Sequence, residues 1–221
     1  MSVDISQLKT ILAEIKAHNA TLVAVSKKKS AEQIRQVYDA GHKVFGENYV
    51  QELKEKFEAL PKDIQWYFIG HLQTNKVKVI APFVSLIQSV DSLKLLKEIN
   101  KEGEINNRVI NCFLQIHITQ EETKFGLSFE EAENILKSSE IKTMKNISIK
   151  GLMGMASFTD DQSKIKNEFI ALKNFYSRLK SEIRNSKFEI LSMGMTNDYK
   201  LALSEGSNMV RIGSAIFGER K

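Results

Sequence analysis

Short apolar runs alternate with helix-length amphipathic stretches along the whole chain. The first run is Thr21–Val25, and before it Ile5, Leu8, Ile11, Leu12 and Ile15 fall on one helical face. Further runs follow at Lys43–Gly46, Trp66–Gly70, Val84–Val90, Val109–Ile118, Ile147–Met155, Phe188–Met193 and Met209–Ile212. These eight segments are predicted strands. Helix signals lie between them: Ser30 with Gln33, and Ser128 with Glu131, have capping-box spacing. Ile165, Phe169, Leu172, Phe175, Leu179 and Ile183 step by three or four residues, one face of a long helix.

Several runs are continuously apolar rather than alternating, as strands of a parallel sheet buried on both faces are. Only two prolines, Pro61 and Pro82, interrupt the chain, and no linker or low-complexity stretch divides it. Eight strand–helix units in 221 residues favour closure into a barrel over a doubly wound open sheet. The expected fold is α/β: a single (β/α)8 TIM barrel domain over residues 1–221, with an extra N-terminal helix.

The composition, 42% hydrophobic and 27% charged, is that of an ordinary globular protein with a sizeable core. The net charge of +5 comes from 32 basic and 27 acidic residues interleaved along the chain, the pattern of solvated lysine-rich helix faces. No aromatic and arginine patch suited to stacking bases accompanies it, so no nucleic-acid partner is expected. Cys112 is the single cysteine, so no internal disulfide can form and a reducing compartment is implied. Its apolar surroundings mark it as a packing residue. Charges interrupt the stripe from Met1 to His18, unlike a signal peptide, and no window approaches a membrane span. A soluble, cytoplasmic monomer is expected.

In such barrels, functional groups sit at the C-terminal ends of the strands. Polar clusters follow the apolar runs directly: Ser26-Lys27, Glu47-Asn48, His71, His117, Thr196-Asn197, Arg211 and Gly213-Ser214. Val23, Val25 and Lys27 share one face of the first strand, and Leu22 and Ala24 the other. That alternation aims Lys27 from the barrel interior into its mouth. Desolvation there, with Lys28 and Lys29 alongside, would lower its pKa, as a Schiff-base amine requires. The alternative is a surface lysine in a run of three.

Phosphate sites in these barrels form from the loops after strands seven and eight. Gly194-Met195-Thr196 and Gly213-Ser214 occupy those loops and offer hydroxyl donors and close backbone approach; alternatively, the glycines serve only as turn residues. Arg211, inside an apolar strand, needs a polar or anionic partner. A cofactor's ring nitrogen and a structural carboxylate such as Glu47 or Glu205 are both candidates. The four histidines show no paired metal spacing, and structural roles for His71 and His117 are favoured over catalytic ones. No GxGxxG, Walker or GxSxG motif occurs.

Several segments, taken together, are recognisable. They are Leu22-Val23-Ala24-Val25-Ser26-Lys27, Phe45-Gly46-Glu47-Asn48-Tyr49-Val50-Gln51-Glu52, Trp66-Tyr67-Phe68-Ile69-Gly70 and Leu72-Gln73-Thr74-Asn75-Lys76. With them go Gly151-Leu152-Met153, Leu191-Ser192-Met193-Gly194-Met195 and the stretch from Met209 to Gly218. They resemble the pyridoxal phosphate homeostasis proteins (the YggS/PROSC family), which are similar to the barrel domain of bacterial alanine racemase. The resemblance implies pyridoxal 5'-phosphate as cofactor, held as a Schiff base on Lys27. It implies a phosphate site lined by Ser192, Met195, Thr196, Gly213 and Ser214, with Arg211 near the ring nitrogen and Asn48 beside the cofactor. Two departures occur. Lys27-Lys28-Lys29-Ser30 stands where the family usually has Lys-Thr-Lys-Pro, and Ser30 can still cap the helix. Gly194-Met195-Thr196 replaces the usual Gly-Met-Ser, which keeps the hydroxyl and adds a methyl.

The resemblance also implies a role in intracellular cofactor homeostasis, buffering pyridoxal phosphate and delivering it to apo enzymes, with no catalytic residue to assign. The alternative is a racemase-like enzyme. That chemistry needs a second acid/base opposite the lysine, which alanine racemase takes from an additional β-domain, whereas this chain ends about where the barrel ends. A third possibility is a barrel that binds another sugar phosphate without covalent use of Lys27.

Overall fold

The computed structural model describes residues 3–119, 125–183 and 187–218. Eight parallel strands close into a barrel in sequence order: β1 (Thr21–Val25), β2 (Val44–Glu47), β3 (Gln65–Phe68), β4 (Leu86–Val90), β5 (Ile110–Ile116), β6 (Ile147–Gly154), β7 (Ile190–Met195) and β8 (Met209–Ile212). Helix α1 (Ile5–Ala17) precedes β1. Around the barrel run α2 (Ala31–Asp39), α3 (Val50–Ala59), α4 (Val77–Ile80), α5 (Leu93–Ile105), α6 (Phe129–Lys137), α7 (Ser139–Thr143), α8 (Gln162–Glu182), α9 (Tyr199–Ser204) and α10 (Ser214–Phe217).

All eight expected strands form, and β1 and β8 have the expected bounds. The corrections lie at strand ends. Val84 is outside β4 because its N–H closes the turn after α4, on Ile80 O. Phe188 is outside β7 because the ladder with β6 begins at Ile190, opposite Gly151, while its ring stacks on Tyr176 of α8, 5.5 Å between centroids. Both capping boxes are present, at Ser30 and Ser128. Ser138 divides the segment between β5 and β6 into two helices by capping the second.

Strand alternation sorts the side chains into two layers. Leu22, Ala24, Phe45, Trp66 and Phe68 point outward and pack under the helices with Phe169 and Leu172 of α8. Val23, Leu86, Phe113, Met153 and Met209 fill the barrel interior. Closure brings β8 against β1, with Val23 beside Arg211 and Ala24 beside Ile212. The two chain ends of the barrel thus meet at one place on its mouth.

Candidate active-site cavity at the barrel mouth

A cavity of about 240 Å³ opens at the C-terminal ends of the strands. Seven of the eight residues expected at a cofactor site line it: Lys27, Asn48, Met195, Thr196, Arg211, Gly213 and Ser214. The eighth, Ser192, is buried inside the barrel, where it hydrogen-bonds Arg211 and Gln88 rather than facing the cavity.

Lys27 sits in a turn that is anchored on both sides. Ser26 N–H donates to Gly46 O and Lys29 N–H to Ser26 O, both at 3.0 Å, and Lys28 adopts a left-handed φ of 59°. A buried network lies beneath. Ser26 Oγ donates to Glu47 Oε1 at 2.5 Å. Lys56 Nζ, from α3, donates to Glu47 Oε1 and Ser26 O at 2.7 Å and to Glu52 Oε1 at 2.6 Å. Glu52 Oε1 also accepts Lys28 N–H at 2.5 Å. Burial raises the Glu47 carboxyl above its ordinary range, and Lys56 and Ser26 oppose the rise. On the other side, Lys29 Nζ donates to Phe217 O and Gly218 O, each at 3.0 Å, which ties the turn to the end of α10.

The loops after β7 and β8 converge on one hydroxyl. Gly213 N–H lies 3.4 Å and Ser214 Oγ 3.3 Å from Thr196 Oγ1. Gly194 turns the first loop with φ 97°, and Asp198 Oδ1 accepts Met195 N–H at 2.5 Å. At Gly213 a Cβ would stand 3.1 Å from Val25 O, a tight contact, so a side chain here would press on the end of β1.

Arg211 reaches the cavity from the barrel interior. Its Nη1 donates to Ser192 Oγ at 2.6 Å and Ser192 O at 3.1 Å, and its Nη2 to Gly154 O at 2.9 Å. Burial pulls the guanidinium down to about 10, against the field of Asp198, so it remains a cation at neutral pH. Neither suggested structural carboxylate partners it: Glu47 pairs with Lys56, and Glu205 lies 3.5 Å from Lys166. Asn48 Oδ1 is buried and without a hydrogen-bond partner among the described residues.

Three of the four histidines lie within reach of a neighbouring oxygen. His71 Nδ1 lies 3.2 Å from Asp91 Oδ2, and its ring stacks on Phe125 at 4.1 Å. His117 Nε2 meets Thr119 Oγ1 at 3.2 Å, and His42 Nε2 meets Val44 O at 2.8 Å. Among the described residues no cluster could hold a metal ion, and no helix is long and apolar enough to cross a membrane. The supports Ser26, Glu47 and Lys56 escaped sequence reasoning as a unit. A carboxylate ending an apolar run was a visible signal at Glu47, whereas Lys56 looks like any lysine on an amphipathic helix.

Residues 3–221 match the family model for the alanine racemase N-terminal domain. The pyridoxal phosphate homeostasis protein of Haemophilus influenzae is 39% identical over 202 residues, covering 90% of this chain and 84% of the relative. That of Aquifex aeolicus is 40% identical over 204 residues, covering 91% and 88%. PipY of Synechococcus elongatus, solved with PLP bound, superposes with a TM-score of 0.88 at 28% identity, covering 97% of this chain and 99% of that one. Alanine racemase from Bartonella henselae, at 15% identity, shares the fold, with a TM-score of 0.72 over 99% of this chain and 62% of its own. The chain belongs to the pyridoxal phosphate homeostasis protein family, within the wider alanine racemase N-terminal domain family.

Proposed function

We propose that this protein binds pyridoxal 5'-phosphate in the mouth cavity, anchored covalently on Lys27, and serves cofactor homeostasis rather than turnover. The observation that carries the proposal is the convergence, in one cavity, of a strand-end lysine, a cup of hydroxyl and backbone donors, and a buried cation. Thr196, Gly213 and Ser214 supply the donors that suit a phosphate. Asn48 Oδ1 is a buried acceptor that a bound hydroxyl would satisfy. When bound, the cofactor supplies an electrophilic carbonyl carbon and an electron-withdrawing ring. Lys27, half-buried at the cavity wall, would hold that carbon through Nζ. Arg211, a permanent cation beside the ring, would keep the ring nitrogen unprotonated and so weaken the ring as an electron sink. Such a site retains the cofactor and exposes it for transfer to apo enzymes without driving chemistry at an amino acid's α-carbon. The names of the curated relatives and the PLP-bound state of PipY support this reading.

The test is a visible spectrum of the purified, cofactor-loaded protein before and after borohydride. Lys27→Ala should lose the cofactor's absorption band and its borohydride fixation while unfolding stays cooperative, because a mouth residue adds little to the core. Fixation on Lys28 or Lys29 would refute the assignment. Saturable α-proton exchange of L-amino acids into deuterated water, lost in Lys27→Ala, would instead make the protein an enzyme.

A further inference from the structure

A buried polar chain crosses the barrel below the cavity. Gln88 projects inward from β4, which stands opposite β8 in the closed ring of eight strands. Gln88 Oε1 accepts from Ser192 Oγ at 2.9 Å, and Gln88 Nε2 lies 3.2 Å from Met209 Sδ. Ser192 Oγ in turn accepts from Arg211 Nη1. Gln88 and Ser192 are fully buried, and Arg211 is 4% exposed.

Counting hydrogens fixes the direction of each bond. A thioether only accepts, so the amide nitrogen of Gln88, and not its oxygen, must face Met209. The Gln88 oxygen then faces Ser192, which has a single hydroxyl hydrogen and must donate it there. The serine lone pairs are left for Arg211. With Ser192 O and Gly154 O, they hold the guanidinium by three acceptors at the cavity wall, which Arg211 lines. Without Gln88, the Ser192 hydroxyl hydrogen would lose its acceptor, and nothing would fix the rotation that presents the serine lone pairs to Arg211.

We propose that Gln88 is a positioning residue for the cofactor site: acting through Ser192, it fixes the aim of the Arg211 guanidinium at the cavity floor. The inference rests on the cofactor reading given above. The charged groups around Arg211 are Asp198, after β7, and Lys27 and Lys29, after β1, which line the same cavity or act on it. A guanidinium that drifts from its place would no longer hold the ring nitrogen of a bound cofactor unprotonated.

The experiment compares wild type, Gln88→Leu, Ser192→Ala and the double variant, each loaded with pyridoxal phosphate. It reads the position of the absorption band against pH, and thermal unfolding alongside. The wild-type band should hold its position from mildly acid to mildly alkaline pH. In Gln88→Leu it should titrate within that range, its apparent pKa raised by about one unit or more, while unfolding stays cooperative. In the Ser192→Ala background Gln88→Leu should add nothing, because the link is already cut. A Gln88→Leu profile matching wild type would overturn the proposal, and so would an equal added shift in both backgrounds. Should the leucine variant not fold, Gln88→Met removes the same bonds with an adaptable side chain, and the same outcomes apply. If wild type takes up no cofactor, the cofactor reading fails and the inference with it. If wild type binds and only the Gln88 variants are silent, the positioning role alone is lost.

Discussion

Lys56→Met isolates the network beneath Lys27. The substitution removes three hydrogen bonds at once, to Glu47 Oε1, Glu52 Oε1 and Ser26 O. It leaves Glu47 fully buried with Ser26 Oγ as its remaining donor among the described residues. Removing one partner of a buried ion pair costs about 3–5 kcal/mol, which for a domain of this size lowers the unfolding midpoint by about 6–20 °C. The pH dependence follows from the sign of the Glu47 shift. Burial already raises this carboxyl in the folded state, and Lys56 is the main force opposing it. Without Lys56 the folded value rises further above the unfolded one. Between the two values the folded form binds the extra proton, so stability falls as pH rises through that window and levels off above it. The variant should therefore be weakest at alkaline pH and recover toward acid. Thermal unfolding followed by circular dichroism across pH measures this, and the double variant Glu47→Gln/Lys56→Met should regain most of the loss because neither charge remains. Cofactor affinity should fall in parallel, since Lys56 holds the carbonyl of the residue before Lys27. A Lys56→Met protein as stable as wild type at alkaline pH, or one that weakens toward acid, would refute the reasoning.

Two further outcomes are expected. Gly213→Val places a branched side chain where even a Cβ stands 3.1 Å from Val25 O; it should weaken pyridoxal phosphate binding by about tenfold or more and barely affect unphosphorylated pyridoxal, and equal weakening of both by titration would show that this loop holds no phosphate. Burial in β5 pushes the Cys112 thiol far above its ordinary range, so a thiol reagent should label it only on unfolding, and rapid labelling of the native protein would contradict the packing assigned to it.

The parts of the fold that were legible are those set by periodicity. Alternation in Thr21–Val25 placed Val23 inside and Leu22 and Ala24 outside, and the structure separates them that way. Strand ends were less legible because long-range contacts decide them: nothing local in Phe188 tells that the ladder with β6 will begin only at Ile190. The lining of the mouth cavity was legible where residues adjoin the strand ends, as at Lys27, Thr196 and Gly213. Ser192 shows the limit. Its motif placed it with the phosphate residues, but strand parity turns its side chain into the barrel, where Gln88 and Arg211 claim it. The Lys56 network was legible only at Ser26 and Glu47, as polar groups ending apolar runs; their link to Lys56 was not, because only the closed fold brings that helix residue to them.

The barrel interior makes the strongest structural case for a ligand. Such interiors are ordinarily filled by layers of apolar side chains, and Val23, Leu86, Phe113, Met153 and Met209 supply them here. Gln88, Ser192 and Arg211 depart from the rule, buried among them. Stability does not account for Arg211. The three acceptors that hold it are neutral oxygens, so the cost of desolvating a guanidinium is met by hydrogen bonds alone and not by a direct ion pair. An apolar side chain of similar volume would pack there at less cost. A residue that violates local rules without a structural return belongs to function, and Arg211 stands where the apolar core gives way to the cavity. On the function proposed above, a cation at that floor would face the bound ring and leave its nitrogen little protonated.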